Sequence, residues 1–500
     1  MKNKFFWLIA FLLWFLLAIF SLHPIISGIF PFWYDPARDM LSAWNNLHKI
    51  TLIGSTSGIP GIFYGPYWIW FLSISIFFSK DPRLATFVVS FIPYIFFFPI
   101  VLYQFKKYFD KDILLVLWVF FIIGFKSYVI FIWNPNNSPL LFLLAVYMIL
   151  SAVNQEGFPS NLKKLFLSGI VAGLALSINM SFGAVFALSS VLFFLLNAIF
   201  FLRKTFKTRI RSFFSQLISF LIGIALTFTP FLVFEIRHGF EQIKTAVAAL
   251  THGGGGFVTV HGLTKQQIVE SFFSRWGQLL HIPFNLSLVI LVVLAIIFII
   301  LLVQRRICFS KQEKIMFLFI FSLILSCLGL YLLVRNPVWD YHFIGVEIFW
   351  ILLLGIFLTK IPFVRFIAYG LILILVIMQS IIFFGTLHTP ILATDSLAAK
   401  EYIVKMIAND ANSKAYNVYA YNPSIYTYEY SYLFRWLVGK DIPYDPASVK
   451  RQGDIYLILP QEKKSILEDF INYRTPSKLY KTVKTWSVPN GTFILKRSLM

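Results

Sequence analysis

Residues 65–79 read Gly65-Pro66-Tyr67-Trp68-Ile69-Trp70-Phe71-Leu72-Ser73-Ile74-Ser75-Ile76-Phe77-Phe78-Ser79. Whether they cross a membrane decides the arrangement of everything after them. The run is apolar, but it falls short of the ~20 residues that a bilayer requires, and it opens on Gly65-Pro66 with Gly61 just before. The surrounding charge settles the choice, because short loops rich in Lys and Arg stay on the cytoplasmic side. The basic loops are Lys2 and Lys4; Lys106, Lys107 and Lys111; Lys163 and Lys164; Arg203 through Arg211; Arg305 through Lys314; and Lys360 with Arg365. If 65–79 spanned, Lys2 and Lys4 would lie inside and every later basic loop outside. The segment is therefore expected as an interfacial or re-entrant helix.

The same parity resolves residues 165–202, an apolar run of about 38 residues and roughly 57 Å if helical. Both flanks are basic, so the number of crossings between them is even. Two short spans meeting near Asn179-Met180-Ser181-Phe182-Gly183 satisfy this. About eleven spans follow: 5–26, 84–105, 112–131, 138–153, 165–180, 182–202, 212–234, 283–303, 314–334, 342–359 and 362–384. The first, without a small-residue cleavage site, reads as a retained signal-anchor with a cytoplasmic N-terminus. The outer face receives loops 27–83, 132–138, 235–282 and 335–341, and everything after about 386. That tail changes composition and carries no span. It reads as a small α/β domain (386–500) with helix-like runs at 398–407, 425–438 and 463–473 and strand-like runs at 415–420 and 454–459. A hairpin of 481–488 with 492–496 turns at Asn490-Gly491.

Composition agrees: 58% of residues are hydrophobic and 13% charged, where a soluble domain averages about 25% charged. Fifty-eight Phe and 13 Trp suit lipid-facing helices and interfacial belts. The chain is an all-α polytopic membrane protein with the α/β tail appended. Its net charge of +21 sits largely in short loops, as topology requires, and nucleic acid is not a partner. Cys308 lies in a basic loop and Cys327 in an apolar run, so neither a disulfide nor a metal-thiolate spacing is expected.

With only 22 acidic residues in the chain, the stretch Tyr34-Asp35-Pro36-Ala37-Arg38-Asp39-Met40 beside the first span is conspicuous. Asp35-Pro36 is a helix-start signal, an N-cap carboxylate followed by proline at the first helical position. Ala37, Met40, Leu41, Trp44 and Leu47 then recur at helical spacing. A short amphipathic helix on the outer membrane face fits. Asp35 is then either a cap alone or a group aimed at solvent or a cleft, and Arg38 and Asp39 are either a solvated face or part of the same site.

Residues 34–45 (YDPARDMLSAWN), followed by 59–72 (IPGIFYGPYWIWFL), resemble the first periplasmic loop of GT-C glycosyltransferases. The nearer likeness is to bacterial relatives of the protein O-mannosyltransferases and of the lipid A aminoarabinose transferase. Further matches follow in order: Trp133-Asn134-Pro135-Asn136 before a span, the Asn179–Gly183 break, Phe234-Glu235-Ile236-Arg237-His238-Gly239-Phe240 after a span, and Tyr341-His342-Phe343 opening a late one. The resemblance covers roughly residues 1–385, which would form a GT-C transmembrane domain. It implies that Asp35 is the catalytic base, supported by Arg38, Asp39 and Tyr64. Relatives often have Asp-Glu where this chain has Asp35-Pro36, and some carry a second acid where it reads Phe63-Tyr64-Gly65-Pro66. No metal ligands are therefore assigned, no cofactor is required, and a divalent cation stays open.

The reaction implied is inverting transfer of a sugar from a polyprenyl phosphate to an acceptor hydroxyl on a lipid, a glycan or a protein, at the outer face of a prokaryotic plasma membrane. The leaving phosphate needs cationic and hydrogen-bonding partners. Candidates are Lys126, Asn134, Asn136, Arg237, His238, Tyr341 and His342, with Lys244 and Arg275 as further outer-side cations. Each has a plainer reading: Lys126, near the outer end of its span, snorkels to the interface; Arg237-His238 is an interfacial anchor; Asn134-Pro135-Asn136 is a turn. Gly253–Gly256, between His252 and His261, lacks the context of a phosphate loop and reads as a lid or linker. The alternative function is a non-catalytic transporter of lipid-linked or small substrates. A transporter would concentrate polar residues at the bilayer midplane, whereas here they cluster in outer loops.

Overall fold

The computed structural model describes residues 2–57, 61–124, 126–153, 161–200, 205–252, 262–334, 337–388, 390–412, 414–423, 426–448 and 453–500. Gly253–Gly256 and His261 lie outside the described residues. Among the described residues, seven helices are long and apolar enough to cross a membrane: Pro82–Lys107, Asn134–Val153, Met180–Phe200, Phe206–Thr227, Phe284–Val303, Lys311–Leu333 and Phe363–His388. The other expected spans are also helical, as Lys2–Ser27, Lys111–Gly124, Leu162–Ile178 and Glu347–Lys360. Lys111–Gly124 and Glu347–Lys360 are enclosed: nearly every side chain from Ile113 to Ile123 and from Glu347 to Leu358 is buried. An enclosed helix can stop against protein, because protein groups rather than lipid meet its ends. Phe284–Val303, by contrast, exposes Val289, Val292, Val293, Ile296 and Ile299, as a lipid-facing helix does.

The 165–202 run breaks where the sequence expected it, between Leu162–Ile178 and Met180–Phe200. Asn179 makes the break, with φ −133° and ψ 87°. Its Nδ2 donates to Ser138 Oγ and to the Ile344 carbonyl, each at 3.0 Å, and its Oδ1 accepts the Phe182 N–H at 3.3 Å. One amide side chain thus ties the break to two other parts of the bundle. Leu162–Ile178 also crosses Phe206–Thr227 at glycine contacts. A Cβ on Gly169 would lie 2.1 Å from the Phe220 carbonyl oxygen, the close approach that small residues permit between membrane helices.

The 65–79 segment forms the helix Tyr67–Phe78, only 12 residues long. Trp68, Ile69, Leu72 and Ile76 are buried, while Ile74, Phe77 and Phe78 are exposed. Gly65 explains how it docks. Its N–H donates to the Ser177 carbonyl at 3.1 Å, and a Cβ there would sit 1.8 Å from Ser177 Oγ and 2.8 Å from Ser177 Cβ. Gly65→Ala is therefore expected to lower the melting temperature and Ser177→Gly in the same chain to restore part of it. A Gly65→Ala protein that melts with wild type would contradict this docking.

The C-terminal part holds a four-stranded sheet in the order β1-β2-β4-β3, with β1 Tyr416–Ala420, β2 Asp454–Leu459, β3 Tyr480–Ser487 and β4 Phe493–Leu499. β1 is parallel to β2, and β4 is antiparallel to both neighbours. The β3–β4 turn is the expected one: Gly491 has φ +82°, and Asn490 Oδ1 accepts the Thr492 N–H at 3.1 Å. Helices Leu397–Ala411, Tyr428–Leu437 and Lys464–Arg474 complete the unit. It is fastened to the N-terminal part. Leu397 and Ala398 N–H groups donate to the Phe30 and Gly28 carbonyls, each at 3.1 Å, and Lys400 Nζ reaches the Phe32 carbonyl at 2.9 Å. Arg83 grips Glu401 with both terminal nitrogens, at 2.5 and 2.9 Å. One hydrophobic cluster joins Phe30, Phe32, Ala37, Met40 and Ala43 to Leu397, Tyr432, Leu433 and Phe434.

Candidate functional site

The helix Tyr34–Asn46 carries the acidic pair. Its N-cap is Trp33, not Asp35, and no side chain caps it. The helix begins one residue before Asp35 because Pro36, still in the first turn, loses nothing by lacking an N–H there. Asp35 is thereby free of capping. Its Oδ1 pairs with Arg38 Nη1 at 2.9 Å, Trp133 lies beside its carboxylate, and the side chain is 30% exposed. Burial raises the Asp35 pKa above the ordinary aspartate value, against the opposing pull of Arg38.

Arg38 and Asp39 are not a solvated face. The helix is covered by Tyr67–Phe78 on one side and Tyr428–Leu437 on another, so Asp39 is fully buried. It accepts from Ser55 Oγ at 2.5 Å, Trp68 Nε1 at 2.8 Å, Arg38 Nε at 2.9 Å and Arg38 Nη2 at 2.8 Å. Four donors account for its acceptor capacity, which makes Asp39 the anchor of Arg38. Arg38 is in turn shared between two carboxylates, and these hold its pKa above the usual arginine value despite burial.

The chain after the helix folds back to supply Ser55 and Tyr64. Gly54 N–H donates to the Tyr64 carbonyl at 2.7 Å and Tyr64 N–H to the Ser55 carbonyl at 2.9 Å. Burial pushes the Tyr64 hydroxyl far above its ordinary pKa, with Tyr341, Arg38, Asp35 and Asp39 all near enough to act on it. Tyr341 lies against Trp133, ring centroids 5.7 Å apart, and burial reinforced by Asp35 raises its hydroxyl to about 12.

Trp133 and Tyr341 also line a cleft of about 480 Å³, with Tyr128, Phe131, Asn136, Arg275, Trp339, Asp340 and Ile344. Arg275 enters it held by Asp340, Glu347 and Gln278. Nη2 meets Asp340 Oδ2 at 2.7 Å, Nη1 lies 3.4 Å from the fully buried Glu347, and Nε is buried without a partner. Tyr128 also donates to Glu347 Oε1 at 2.9 Å. The cleft is aromatic, with a single guanidinium whose charge is matched by acids.

The remaining sequence candidates divide. Asn134 is buried and donates to the Ile178 carbonyl at 2.7 Å, while Asn136 lines the cleft. Both open the helix Asn134–Val153, so Asn134-Pro135-Asn136 is a helix start and not a separate turn. Lys126 follows Phe125, which lies outside the described residues, and the chain is helical on both sides of it, at Lys111–Gly124 and Lys126–Val129. The Lys126 side chain is half-buried and forms no ion pair among the described residues. His342 precedes the helix Glu347–Lys360 in a 3₁₀ turn and is no cation at neutral pH. Burial lowers its pKa to about 4, and its Nδ1 accepts the Trp339 N–H at 3.3 Å. Arg237 and His238 end the helix Thr229–Arg237, exposed, with His238 stacked on Phe234 at 3.9 Å and its Nδ1 at 2.8 Å from the Phe234 carbonyl. Nothing in these contacts joins them or exposed Lys244 to Asp35. Among the described residues no group of three or more His, Cys, Asp and Glu could hold a metal ion.

Glu347, Asp340, Ser55 and Trp68 are participants that the sequence reading missed. Glu347 had a signal, a lone acid inside an apolar run, since an intramembrane carboxylate needs a partner. Ser55 and Trp68 had none, because only the folded loop brings them to Asp39.

No family model and no curated protein matches the chain. Solved structures do. The crystal structure of ArnT from Cupriavidus metallidurans in the apo state superposes with a TM-score of 0.59 at 9% identity, covering 99% of this chain and 97% of that one. ArnT from the same organism bound to undecaprenyl phosphate gives 0.56 at 10% identity, covering 99% and 98%. ArnT is a lipid A aminoarabinose transferase of GT-C fold. The present chain has that fold along its whole length: a mostly helical, multi-pass membrane architecture with a small C-terminal sheet.

Proposed function

We propose that the chain is an inverting membrane glycosyltransferase that moves a sugar from a polyprenyl phosphate to an acceptor hydroxyl, with Asp35 as general base. One observation carries the reading: a carboxylate of raised pKa, paired with Arg38, stands next to an aromatic cleft whose Trp133 and Tyr341 are its neighbours. A fold shared with a protein seen bound to undecaprenyl phosphate supports a polyprenyl-phosphate donor. Residues 1–385 would form the transferase unit and 386–500 an appended unit, with Asp35 at the outer face of a plasma membrane and the N-terminus on the cytoplasmic side.

Asp35 takes the acceptor hydroxyl's proton as the new glycosidic bond forms and the bond to phosphate breaks. Arg38 holds the carboxylate in place and keeps part of it ionised against the effect of burial. The departing phosphate takes no proton and is stabilised by donors. Lys126 supplies charge, while Asn136, the Tyr341 hydroxyl and Arg275 Nε supply hydrogen bonds. Asn134 and neutral His342 shape the surrounding backbone.

Since burial raises its pKa, Asp35 is a base only above that raised value. Transfer is expected to fall as pH drops through it, so the acid limb of kcat/KM lies above the ~3.9 of a free aspartate. A limb at or below that value would contradict the assignment. The reaction class is tested by the stereochemistry of the product. Single displacement with a base gives a linkage inverted relative to the donor, read by the anomeric proton coupling, and retention would require a covalent intermediate that this scheme lacks.

A further inference from the structure

Four tyrosines gather beside Arg38 from two separate parts of the chain. Tyr34 comes from the Asp35 helix; Tyr426, Tyr428 and Tyr444 come from the C-terminal unit. Tyr34 and Tyr428 meet edge to face at 4.9 Å, Tyr428 and Tyr444 stack at 4.3 Å with their planes 24° apart, and Tyr426 lies 5.9–6.0 Å from both Tyr444 and Tyr428. The two C-terminal segments are tied by the Thr427 N–H donating to the Tyr444 carbonyl at 3.0 Å. Packing does not account for the group, since Tyr426 and Tyr444 are 38% and 44% exposed. None of the four lines the cleft.

The ligand chemistry follows from the rings. Aromatic faces carry negative potential, and the C–H faces of a pyranose ring are weakly positive, so a sugar lies flat on tyrosine while the phenol hydroxyls meet its own. Arg38, the cation that acts on Tyr34 and Tyr428, is already held by Asp35 and Asp39. The site therefore favours a neutral saccharide over an anionic one. Tyr34 adjoins Asp35 in the same helical turn, so a sugar on the platform has its hydroxyls within reach of the base.

We infer that Tyr34, Tyr426, Tyr428 and Tyr444 form an acceptor platform for a neutral glycan, completed by the C-terminal unit. This rests on the glycosyltransferase reading for its role as acceptor site, but saccharide binding itself requires no turnover. The test uses the purified full-length chain without donor. Neutral gluco-, manno- and galacto-configured disaccharides, and an unglycosylated Ser/Thr peptide, are titrated and followed by saturation-transfer NMR. At least one disaccharide is expected to bind in the millimolar range, and Tyr426→Ala with Tyr444→Ala to weaken it about tenfold. Undecaprenyl phosphate should bind the double variant as it binds wild type, which also reports a folded protein. Tyr444→Phe keeps the ring and should stay within about threefold of wild type. Absence of disaccharide binding, equal binding by the double variant, a Phe substitution as damaging as Ala, or binding of the peptide instead would each overturn the platform. If disaccharides bind but no polyprenyl-phosphate sugar is ever consumed, the site stands and the transferase reading falls.

Discussion

Asp35→Asn is expected to reduce sugar transfer by about 10²–10⁴-fold, the range that a positioned general base contributes. The substitution is nearly isosteric, and the amide oxygen still accepts from Arg38, the partner of the native carboxylate. Only the capacity to take a proton is lost. The loss should therefore fall on turnover, with the affinity for undecaprenyl phosphate and the melting temperature close to wild type. If Asp35→Asn transfers sugar at the native rate, the base lies elsewhere.

The neighbouring carboxylate should respond in the opposite way. Asp39→Ala removes the acceptor for Ser55, Trp68 and Arg38 at once in a fully buried place. Breaking a buried, hydrogen-bonded ion pair costs about 3–5 kcal/mol. The expected result is a marked drop in the melting temperature and yield of the purified protein. Asp39→Asn should do less harm, because one oxygen remains for Arg38 and Ser55. If Asp39→Ala melts with wild type, Asp39 is not the anchor described. Two acids four residues apart thus separate by phenotype: one silences the protein and the other unfolds it.

Much of the bundle was legible because lipid imposes simple rules. Length, apolarity and the side of the basic loops marked helices that are present, and an even number of crossings located the break at Asn179. The same reasoning made 65–79 a short helix set apart from the spans, and the helix there is 12 residues long. The tail was legible through period-two strands and the Asn490-Gly491 turn. Helix starts were read less well. Asp35-Pro36 looked like a cap, yet proline is tolerated throughout the first turn, and the pattern does not fix which residue begins it.

The candidate site was legible only in part. The motifs pointed to Asp35, Arg38, Tyr64, Asn136 and Tyr341, and the fold brings these near one cleft. Arg237 and His238, quoted with equal weight, sit exposed at a helix end, where the contacts of His238 stay with Phe234. Asp39 was read as a supporting residue, and its place as the anchor of Arg38 depends on Trp68 and on a C-terminal helix far along the chain. Long-range contacts of this kind carry no local signature, and the tyrosine platform is another instance. Tyr34 sits close to Tyr428 only because Arg83–Glu401 and the Leu397–Phe30 hydrogen bond dock the two parts together.

The central claim, that a polyprenyl-phosphate sugar is the donor, is tested by one measurement. Purified wild-type protein in lipid nanodiscs is given a panel of undecaprenyl-phosphate sugars, each radiolabelled in the sugar, with a cell-envelope extract as the acceptor source. At least one donor is expected to be consumed, releasing undecaprenyl phosphate in step with transfer of label to the extract. Consumption of none across the panel, by protein that still binds undecaprenyl phosphate, would contradict the account and favour a non-catalytic transporter.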